Sequence, residues 1–564
     1  MISESDLNDT ERKVLAAFRA GDAEVNVARA KVRGDFLRGL FLGEYDEKAD
    51  YRGTCIVDAV INDVLNLEFC DARFPVRFRD CLFAQEIKLQ QLICPELRFS
   101  GCTLKKGMDA LCAKVAGGVI LTEANAMGRV RLAGADIGGQ LVCTGGSFRN
   151  KEGDAINAQG IKVAEDVLLK SDDSNSKHVK EFKAEGKVSL AGAKIGGQLN
   201  CTDGRFQNRE GVALNAQSVT VAGSVFLRRG FKADGEVSLV GADIEGQLNC
   251  RGGNFQNKKG NAINARNINV GNEVLLIRNF SASGQVLFGN ATIGGNFKLN
   301  NCKLTHLTLA GANVLSEFQD DAGIYKNETG NDIDLNIDGF RYQRLNATKE
   351  RVENRLAWVG SMSKGDEFRP QPYEQLMKVY REMGHMNWAR KAGFELEKKR
   401  HKQLRLNRDH KRFVVLGWGW WMWYWILRGT IGYGYKPFGA LMFWSILLIG
   451  GGFMLFKGTF PCPEPCRVES APCHCMAPSD AEVILSADWK VHGKPPKDYP
   501  DFNPVYYAVE AALPVLPLGQ TENWHPKIPW VRWVQGVITI IGALVLTIQA
   551  SYGVGVLSTR WKDG

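Results

Sequence analysis

The chain has 564 residues, 14 cysteines and a formal net charge of +9 at pH 7. This length is enough for two or three domains. The positive charge is concentrated in residues 388–412, which carry ten Lys/Arg against three Asp/Glu. Because this basic run lies just before an apolar C-terminal region, membrane lipids with anionic headgroups are favoured as its partner, and nucleic acid is not.

Residues 1–50 are predicted to form an N-terminal helical cap. Their polar start (MISESDLNDTERK) lacks an apolar run and indicates no cleavable signal peptide. Val14, Leu15 and Phe18 share one helical face, and a second apolar cluster extends from Phe36 to Phe41. A solenoid needs its open end covered, so we expect this cap to close the repeats that follow.

Residues 51–345 contain internal repeats. Three blocks are nearly identical: GADIGGQLVCTGGSF from Gly134, GAKIGGQLNCTDGRF from Gly192 and GADIEGQLNCRGGNF from Gly241. Equivalent positions are spaced 26, 32, 26, 23, 26 and 23 residues apart, where 32 is 23 plus a nine-residue polar insertion. These positions are Ala135, Ile161, Ala193, Val219, Ala242, Ile268 and Ala291.

Within a coil the apolar residues alternate with glycine and polar residues, as Ala193, Ile195, Leu199 and Cys201 do. Coils of this length with a period of two predict stacked parallel strands around an apolar interior. Upstream, apolar residues about every five positions resemble a pentapeptide-repeat solenoid. The predicted fold class is therefore mainly β: a right-handed parallel β-helix in the cytoplasm, then a helical hairpin and an α-helical two-span membrane domain.

The ten cysteines between Cys55 and Cys302 are expected to be reduced and buried as small apolar groups. Cys143, Cys201 and Cys250 occupy one repeat position, where the fourth, weaker copy has Leu299. Exchange with leucine indicates a core position and not a metal ligand. No metal site is predicted in the solenoid.

Residues 346–408 are predicted to form a helical hairpin linker. One helix (PYEQLMKVYREM) ends just before Gly384, a residue type that commonly follows a helix C-terminus, and a second helix (NWARKAGFELEKKRHKQLR) follows. Residues 409–436 are predicted to form an interfacial helix, because their apolar and aromatic run, Phe413–Leu427, has only 15 residues and is too short to span comfortably. Its lipid-interface candidates are Trp418, Trp420, Trp421, Trp423 and Trp425.

Residues 437–564 contain two uncharged runs, Pro437–Phe456 and Trp533–Thr559, of 20 and 27 residues. Each is long enough to cross a bilayer as a helix. The flanking Lys/Arg residues place both termini in the cytoplasm and the connecting loop, 457–532, outside. The localisation predicted is the bacterial inner membrane, with two spans.

Between the spans, the segment Phe502–Gly519 is interrupted by proline and predicts a re-entrant pore helix. Polar residues also recur along one face of the second span, and polar residues in spans face a bundle interior or water. The alternative is helix packing through small residues, with glutamine as interhelical glue. The pore-lining candidates are Glu510, Pro514, Pro517, Gln535, Thr539 and Gln549.

The outer loop contains a second cysteine group: Cys462, Cys466, Cys473 and Cys475, with His474 among them. A zinc or copper site is one interpretation. Two disulfides that staple a proline-rich loop in an oxidising compartment are the favoured one.

No enzyme motif is visible. The sequence has no dinucleotide-binding glycine pattern opening a helix after a strand, no Walker loop and no G-x-S-x-G. We therefore predict a protein that is not an enzyme, with no cofactor, no catalytic residue and no metal.

Nearly the whole chain resembles a group of bacterial proteins named membrane-associated oxidoreductases. The matching stretches are RGDFLRGLFLG at Arg33, the GADIGGQL blocks, IDGFRYQRL at Ile337, QPYEQLMKVYREMGH at Gln371 and GYGYKPF at Gly432. The resemblance implies association with a membrane, and the name supplies no catalytic residues for this sequence.

The C-terminal region separately resembles a two-span, pore-loop channel subunit in its layout. Two functions are therefore predicted. The first is an oligomeric inner-membrane ion channel of four or more subunits with a cytoplasmic β-helix for sensing or assembly. The second is a membrane-tethered scaffold whose β-helix binds a cytoplasmic ligand, with the hairpin only as an anchor.

Overall fold

The computed structural model describes residues 3–45, 52–172, 179–320, 333–347, 351–361, 368–406, 437–457, 460–461, 475–478 and 499–562. The chain divides into two compact units, Met1–Ala392 and Gly393–Gly564. The first contains a parallel β-solenoid of about 12 turns, and the C-terminal region is helical. The parallel solenoid predicted from the repeats is therefore confirmed. The predicted interfacial helix, residues 409–436 with its five tryptophans, lies outside the described residues.

Two helices and a strand cover the N-terminal end of the solenoid. A short 3₁₀ turn, Glu4–Asp6, precedes helix α1 (Asp9–Ala20), and helix α2 (Gly34–Leu42) follows the strand Glu24–Asn26. Asn8 and Glu11 form a capping box at the start of α1. The strand pairs in parallel with Cys55–Val57, so the cap is not purely helical and already belongs to the sheet.

Each coil of the solenoid contributes strands to parallel ladders along its faces. The first ladder contains Ile93–Cys94, Lys114–Val115, Asp136–Ile137, Lys162–Val163, Lys194–Ile195, Thr220–Val221, Asp243–Ile244, Asn269–Val270, Thr292–Ile293, Asn313–Asp320 and Arg341–Ala347. The second contains Glu24–Asn26, Cys55–Val57, Val76–Arg79, Leu97–Ser100, Val119–Ile120, Leu141–Val142, Val167–Leu168, Leu199–Asn200, Val225–Phe226, Leu248–Asn249, Val274–Leu275 and Phe297–Leu299.

The remaining strands of the solenoid lie on its other side, where short strands give way to longer ones. The short strands are Val60–Ile61, Leu82–Phe83, Ile87–Lys88, Thr103–Leu104, Met108–Asp109, Asn125–Ala126 and Val130–Arg131. The longer ones are Ser147–Asn157, Lys183–Ser189, Arg205–Asn215, Lys232–Ser238, Asn254–Asn264, Phe280–Leu287 and Cys302–Thr308, with Asp334–Asn336 after them.

The pairing register reproduces the coil lengths read from the repeats. Successive partners in the first ladder are spaced 26, 32, 26, 23, 26 and 23 residues apart. Each partner lies one residue after a repeat position aligned from sequence. These partners are Asp136, Lys162, Lys194, Thr220, Asp243, Asn269 and Thr292.

The coils of 26 residues are longer because they carry a bulge. In the strand Arg205–Asn215 the register shifts between Gln207 and Val212, and the Asn208 side chain donates to the Val212 carbonyl at 2.9 Å, which closes the bulge. The same bond recurs from Asn150 to Asp154 and from Asn257 to Asn261. Bulges therefore protrude from alternate coils, and the sequences of their tips are KEG, REG and KKG.

The interior is a stack of identical side-chain positions. Six phenylalanine rings follow one another along the solenoid, and neighbouring centroids lie 5.2–5.7 Å apart. Such pairs stabilise a core by about 0.5–1.5 kcal/mol each beyond their area burial. The rings belong to Phe148, Phe182, Phe206, Phe231, Phe255 and Phe280.

The cysteines follow the prediction with two exceptions. Cys143, Cys201 and Cys250 are fully buried, and Leu169, Leu227, Leu276 and Leu299 fill the same interior position in the other coils. Cys112, by contrast, is exposed and Cys302 is half-buried, so the expectation of ten buried thiols is wrong for these two. Cys112 has a φ of 54° at a turn, which places its side chain outside the apolar column.

The C-terminal end of the solenoid is covered by helix α3 (Val352–Ser361) and helix α4 (Gln371–Glu382). Trp358 of α3 stacks on Phe318 with centroids 5.8 Å apart. Gln375 of α4 donates to the Tyr342 carbonyl at 2.7 Å. Helix α4 ends at Glu382, with Met383 as its C-cap. Gly384 follows with a φ of 80°, and helix α5 (Met386–Leu406) begins.

The described part of the second unit contains four further helices: α6 (Pro437–Phe456), α7 (Pro504–Ala512), the short α8 (Gln520–Asn523) and α9 (Pro529–Lys562). A small sheet pairs Phe460–Pro461 with Cys475–Pro478, and Cys475–Pro478 with Trp524–Pro526. Cys475 begins the central strand of this sheet. The other three loop cysteines, Cys462, Cys466 and Cys473, lie outside the described residues, and the described part of the chain contains no disulfide.

Candidate functional site

Helix α7 packs against both α6 and α9, and its ends are defined by local sequence. Asn503 caps its first turn: the side-chain oxygen accepts from the amide groups of Val505 at 2.9 Å and Tyr506 at 3.2 Å. Pro504 suits the first helical position because it has no amide hydrogen to leave unpaired. The helix ends at Ala512, with Leu513 as its C-cap, because Pro514 disfavours helical backbone in the residue before it.

Small residues allow the three helices to approach closely. A Cβ atom on Gly542 of α9 would lie 2.0 Å from the carbonyl oxygen of Ala512, and one on Gly452 of α6 would lie 3.2 Å from the Cβ of Ala508. No side chain fits at Gly542 without displacing backbone. This contact of small residues is the packing mode favoured between membrane helices.

An aromatic cluster surrounds the beginning of α7. The rings of Phe456 and Tyr507 lie 4.7 Å apart, and Trp524 contacts Tyr499 and Phe502 at 5.5 and 5.8 Å between centroids. The indole of Trp524 donates to the Pro500 carbonyl at 3.0 Å. The chain just before α7 is thereby held against the small sheet that contains Trp524.

Glu510 is buried and acts as an acceptor for backbone amides. One carboxylate oxygen, Oε2, accepts from the backbone N–H groups of Gln520 at 2.7 Å and Thr521 at 2.9 Å. These N–H groups begin α8 and have no helical partner of their own. The position predicted to line a pore therefore has its carboxylate turned toward the protein in this structure.

The buried side chain of Gln520 extends this hydrogen-bond network. Its oxygen accepts from the backbone N–H of Asn503 at 2.9 Å, and its nitrogen donates to the carbonyl of Asp501 at 3.2 Å. Sequence reasoning missed Gln520. The sequence signal that could have found it is its position directly after a glycine, a residue type that often ends a loop. In the structure Gly519 has a φ of 71° and ends the loop that follows α7.

The polar clamp, defined here as Asn503, Glu510 and Gln520, fixes both ends of an exposed loop. Residues 514–518 (PVLPL) are all exposed, and Val515 retains 73% of its accessible surface. Pro514 and Pro517 belong to this loop, whereas Glu510 lies beneath it. The loop is uncharged, and its two prolines leave carbonyl oxygens without amide donors beside them.

The predicted polar face of α9 is only partly described. Gln535 and Thr539 lie one turn apart and are half-buried. The Thr539 hydroxyl donates to the Gln535 carbonyl at 3.1 Å, so it is already satisfied within the helix. Gln549 lies on α9, and its side chain is outside the described part of the structure.

The outer surface of α6 and α9 is apolar and exposed. Met454, Trp533, Ile540 and Ile446 retain between 60% and 77% of their accessible surface. Large exposed apolar surfaces mark contact with a membrane or a partner. Among the described residues, one helical stretch, Pro529–Thr547, is long and apolar enough to cross a membrane, and the apolar stretch Trp444–Phe456 is shorter.

The described residues contain no group of three or more His, Cys, Asp or Glu side chains that could hold a metal ion. Comparison of the chain with protein-family models, with curated proteins and with solved structures gives no match. Its function is therefore inferred from its own residues.

Proposed function

We propose that the chain is a subunit of an oligomeric ion channel in the bacterial inner membrane, with α6 and α9 as its two spans and both termini in the cytoplasm. Helix α6 has 20 residues, which extend about 30 Å at about 1.5 Å per residue, close to the thickness of a hydrocarbon core. Helix α9 has 34 residues and is longer than one crossing requires.

One observation supports this function more than any other: the exposed loop 514–518 is held at both ends by the polar clamp, at the end of a short helix between two long ones. A pore-loop subunit needs a segment of fixed conformation that no other part of its own chain covers. Two spans cannot enclose a pore, so the uncovered loops of four or more subunits would surround the axis.

The chemistry of the loop favours cations. Its prolines lack amide hydrogens, so carbonyl oxygens dominate its polar surface, and rings of carbonyl oxygens replace the hydration shell of cations in channels. The C-terminal end of α7 precedes the loop and carries the negative end of the helix dipole. Gln535, Thr539 and Gln549 on α9 are the candidates for the wall of the pore beyond the loop.

Planar-bilayer recording of the purified full chain tests this function. Val515→Asp should raise the preference for cations over anions and alter conductance, because it adds a carboxylate to each exposed loop. Gln217→Asp, an exposed site on the solenoid, is the matched control and should change neither. Currents unaffected by Val515→Asp would place the pore elsewhere, and a silent wild-type protein would overturn the channel.

The second candidate function is a membrane-tethered scaffold, and the row of bulges on the solenoid favours it because they offer a protruding polar surface. The number of subunits in detergent separates the two functions. A monomer has too few spans to form a pore and would support the scaffold. We further propose that Cys462, Cys466, Cys473 and Cys475 form two disulfides outside the membrane, which alkylation of intact cells with and without reductant tests.

A further inference from the structure

Alternate coils of the solenoid carry bulges, and this leaves gaps between successive bulges. The bulges at Asn208 and Asn257 are separated by one coil without a bulge, in which Gly235 occupies the corresponding position. Two coils rise about 10 Å, since parallel strands are spaced about 4.8 Å apart. The gap is therefore wide enough for a small molecule.

The gap at Gly235 forms a cleft of about 410 Å³. Arg209 and Glu210 lie on one bulge, Lys259 lies on the other, and Glu236 comes from the coil between them. Small-molecule sites in proteins usually have volumes of about 300–1,000 Å³. The cleft is in that range, and its lining is mostly polar.

The corresponding gap between the first two bulges is filled by the protein itself. Lys187, from the coil between them, forms an ion pair with Asp154 at 2.9 Å. The neighbouring carboxylate of Glu185 lies 2.6 Å from Lys183 and within 4.0 Å of Arg149 and Lys151. Both carboxylates there already have cationic partners from the protein, Lys187 for Asp154 and Lys183 for Glu185.

Two substitutions between repeats open the second gap. Val212 occupies the position of Asp154, and Glu236 occupies the position of Lys187. Among the described residues, the Glu236 carboxylate accepts hydrogen bonds only from the side-chain amides of Asn261 at 3.2 Å and Asn264 at 3.1 Å. In the described part of the chain, neither Arg209 nor Lys259 has an ion-pair partner within 4.0 Å.

We propose that this cleft binds a small zwitterion of the peptide type, with its ammonium group on Glu236 and its carboxylate between Arg209 and Lys259. The charged lining consists of two cations, Arg209 and Lys259, and two carboxylates, those of Glu210 and Glu236. A ligand that carries one positive and one negative charge complements this lining better than a purely anionic or purely cationic ligand. The two asparagine amides fix the carboxylate of Glu236 in advance, which reduces the entropy lost on binding.

Calorimetric titration of the full chain in detergent with diglycine tests the proposal. Diglycine should bind saturably, and N-acetyl-diglycine and diglycinamide, which each lack one charge, should bind at least about tenfold more weakly because each loses a charge-assisted hydrogen bond. If either blocked derivative bound as tightly as diglycine, the proposal that the ligand is a zwitterion would be wrong. If diglycine showed no saturable binding, the cleft would not be a binding site for such ligands.

A double variant supplies a second test that preserves the fold. Val212→Asp with Glu236→Lys recreates in this gap the ion pair found between Asp154 and Lys187 and should abolish diglycine binding without lowering thermal stability. Glu245→Lys, a charge reversal at an exposed position outside the cleft, should bind diglycine as wild type does. Unchanged binding in the double variant would show that the cleft is not the site. None of these results depends on ion conduction.

Discussion

Arg355 and Asp320 form an ion pair in which neither side chain is exposed to solvent, and Arg355 Nη1 lies 2.7 Å from Asp320 Oδ2. Asp320 ends a strand of the first ladder, and Arg355 belongs to α3. The guanidinium also lies over the ring of Trp358, 5.3 Å from its centroid. Helix α3 is therefore held to the C-terminal end of the solenoid by a buried ion pair whose guanidinium also packs on a tryptophan ring.

Removing one partner of this pair should destabilise the first unit strongly. Arg355→Met leaves the Asp320 carboxylate buried without its cation, which costs roughly 3–5 kcal/mol. The double variant Arg355→Met/Asp320→Leu removes both charges and should recover most of that loss. Arg369→Met, in the exposed pair with Asp338 at 3.0 Å, should cost at most about 1 kcal/mol. Thermal unfolding measures all three, and an equal loss in single and double variants would contradict the expectation.

Gly235 should tolerate no side chain. Its φ is 135°, and a Cβ atom there would lie 2.3 Å from the Asn208 carbonyl oxygen of the bulge. Gly235→Ala should therefore cost more than the roughly 1–3 kcal/mol expected for backbone strain alone. Gly192 has a φ of 65° and nothing within 4 Å of the added atom, so Gly192→Asn is the control and should cost little. Chemical denaturation compares them, and similar losses would mean that the overlap is relieved by movement of the bulge.

The contribution of Glu11 should disappear in acid. Burial opposes its ionisation, but hydrogen bonds from Arg33, including Arg33 Nε to Glu11 Oε1 at 2.8 Å, outweigh burial and hold the pKa of Glu11 below its ordinary 4.5. A lowered folded-state pKa gives stability that is complete above pH 4.5 and is lost as pH falls through the folded value.

Glu11→Gln should accordingly weaken protection of the α1 amides at pH 7, and the difference from wild type should narrow below pH 4.5. Hydrogen exchange followed by mass spectrometry measures it peptide by peptide. Glu152→Gln, at an exposed bulge tip, should show no such difference. A Glu11→Gln effect that persisted unchanged into acid would mean that packing, and not charge, holds α1.

The thiols of the solenoid should divide into two reactivity classes. Burial raises the pKa of the Cys143, Cys201 and Cys250 thiols, so these residues should not react with an alkylating reagent until the solenoid unfolds. Cys112 is exposed and should react in the folded protein. Mass spectrometry after alkylation in native and denaturing buffers locates the modified residues, and Cys112→Ser should remove the native-state label from the peptide that contains position 112. Early labelling of Cys201 would indicate local opening.

Much of the solenoid could be predicted from sequence because its interior repeats. The alternation of Ala193, Ile195 and Leu199 indicates the inward face, and recurrence of the blocks gives the strand register directly. The bulges could not be predicted, although the coil lengths contained them. Nothing in the pattern showed whether the three extra residues of a long coil extend a strand, a turn or a protruding segment, because that depends on Asn208 bonding to Val212.

The candidate site was less predictable. Proline at position 514 correctly indicated where α7 ends, and the lack of charge around Glu510 marked that carboxylate as unusual. The direction in which the Glu510 carboxylate points could not be predicted, because a lone carboxylate beside a loop can either face a pore or accept hydrogen bonds from backbone amides. The partner residues lie ten and eleven positions away, on α8, beyond the range of any helical or strand periodicity.

The bulges on alternate coils make a pair of coils the unit in which this solenoid can change length. From Lys194 to Asp243 such a pair contains 49 residues. Duplication of a gene segment encoding one pair would keep every asparagine opposite its glycine and add one more gap of the same height. Duplication of a single coil would instead place two coils with bulges side by side, or two coils without them. The contact between a bulge and the glycine of the neighbouring coil would then be lost. Lengthening or shortening by recombination should therefore be tolerated in steps of two coils, and homologous solenoids should differ in their number of bulges and not in their spacing.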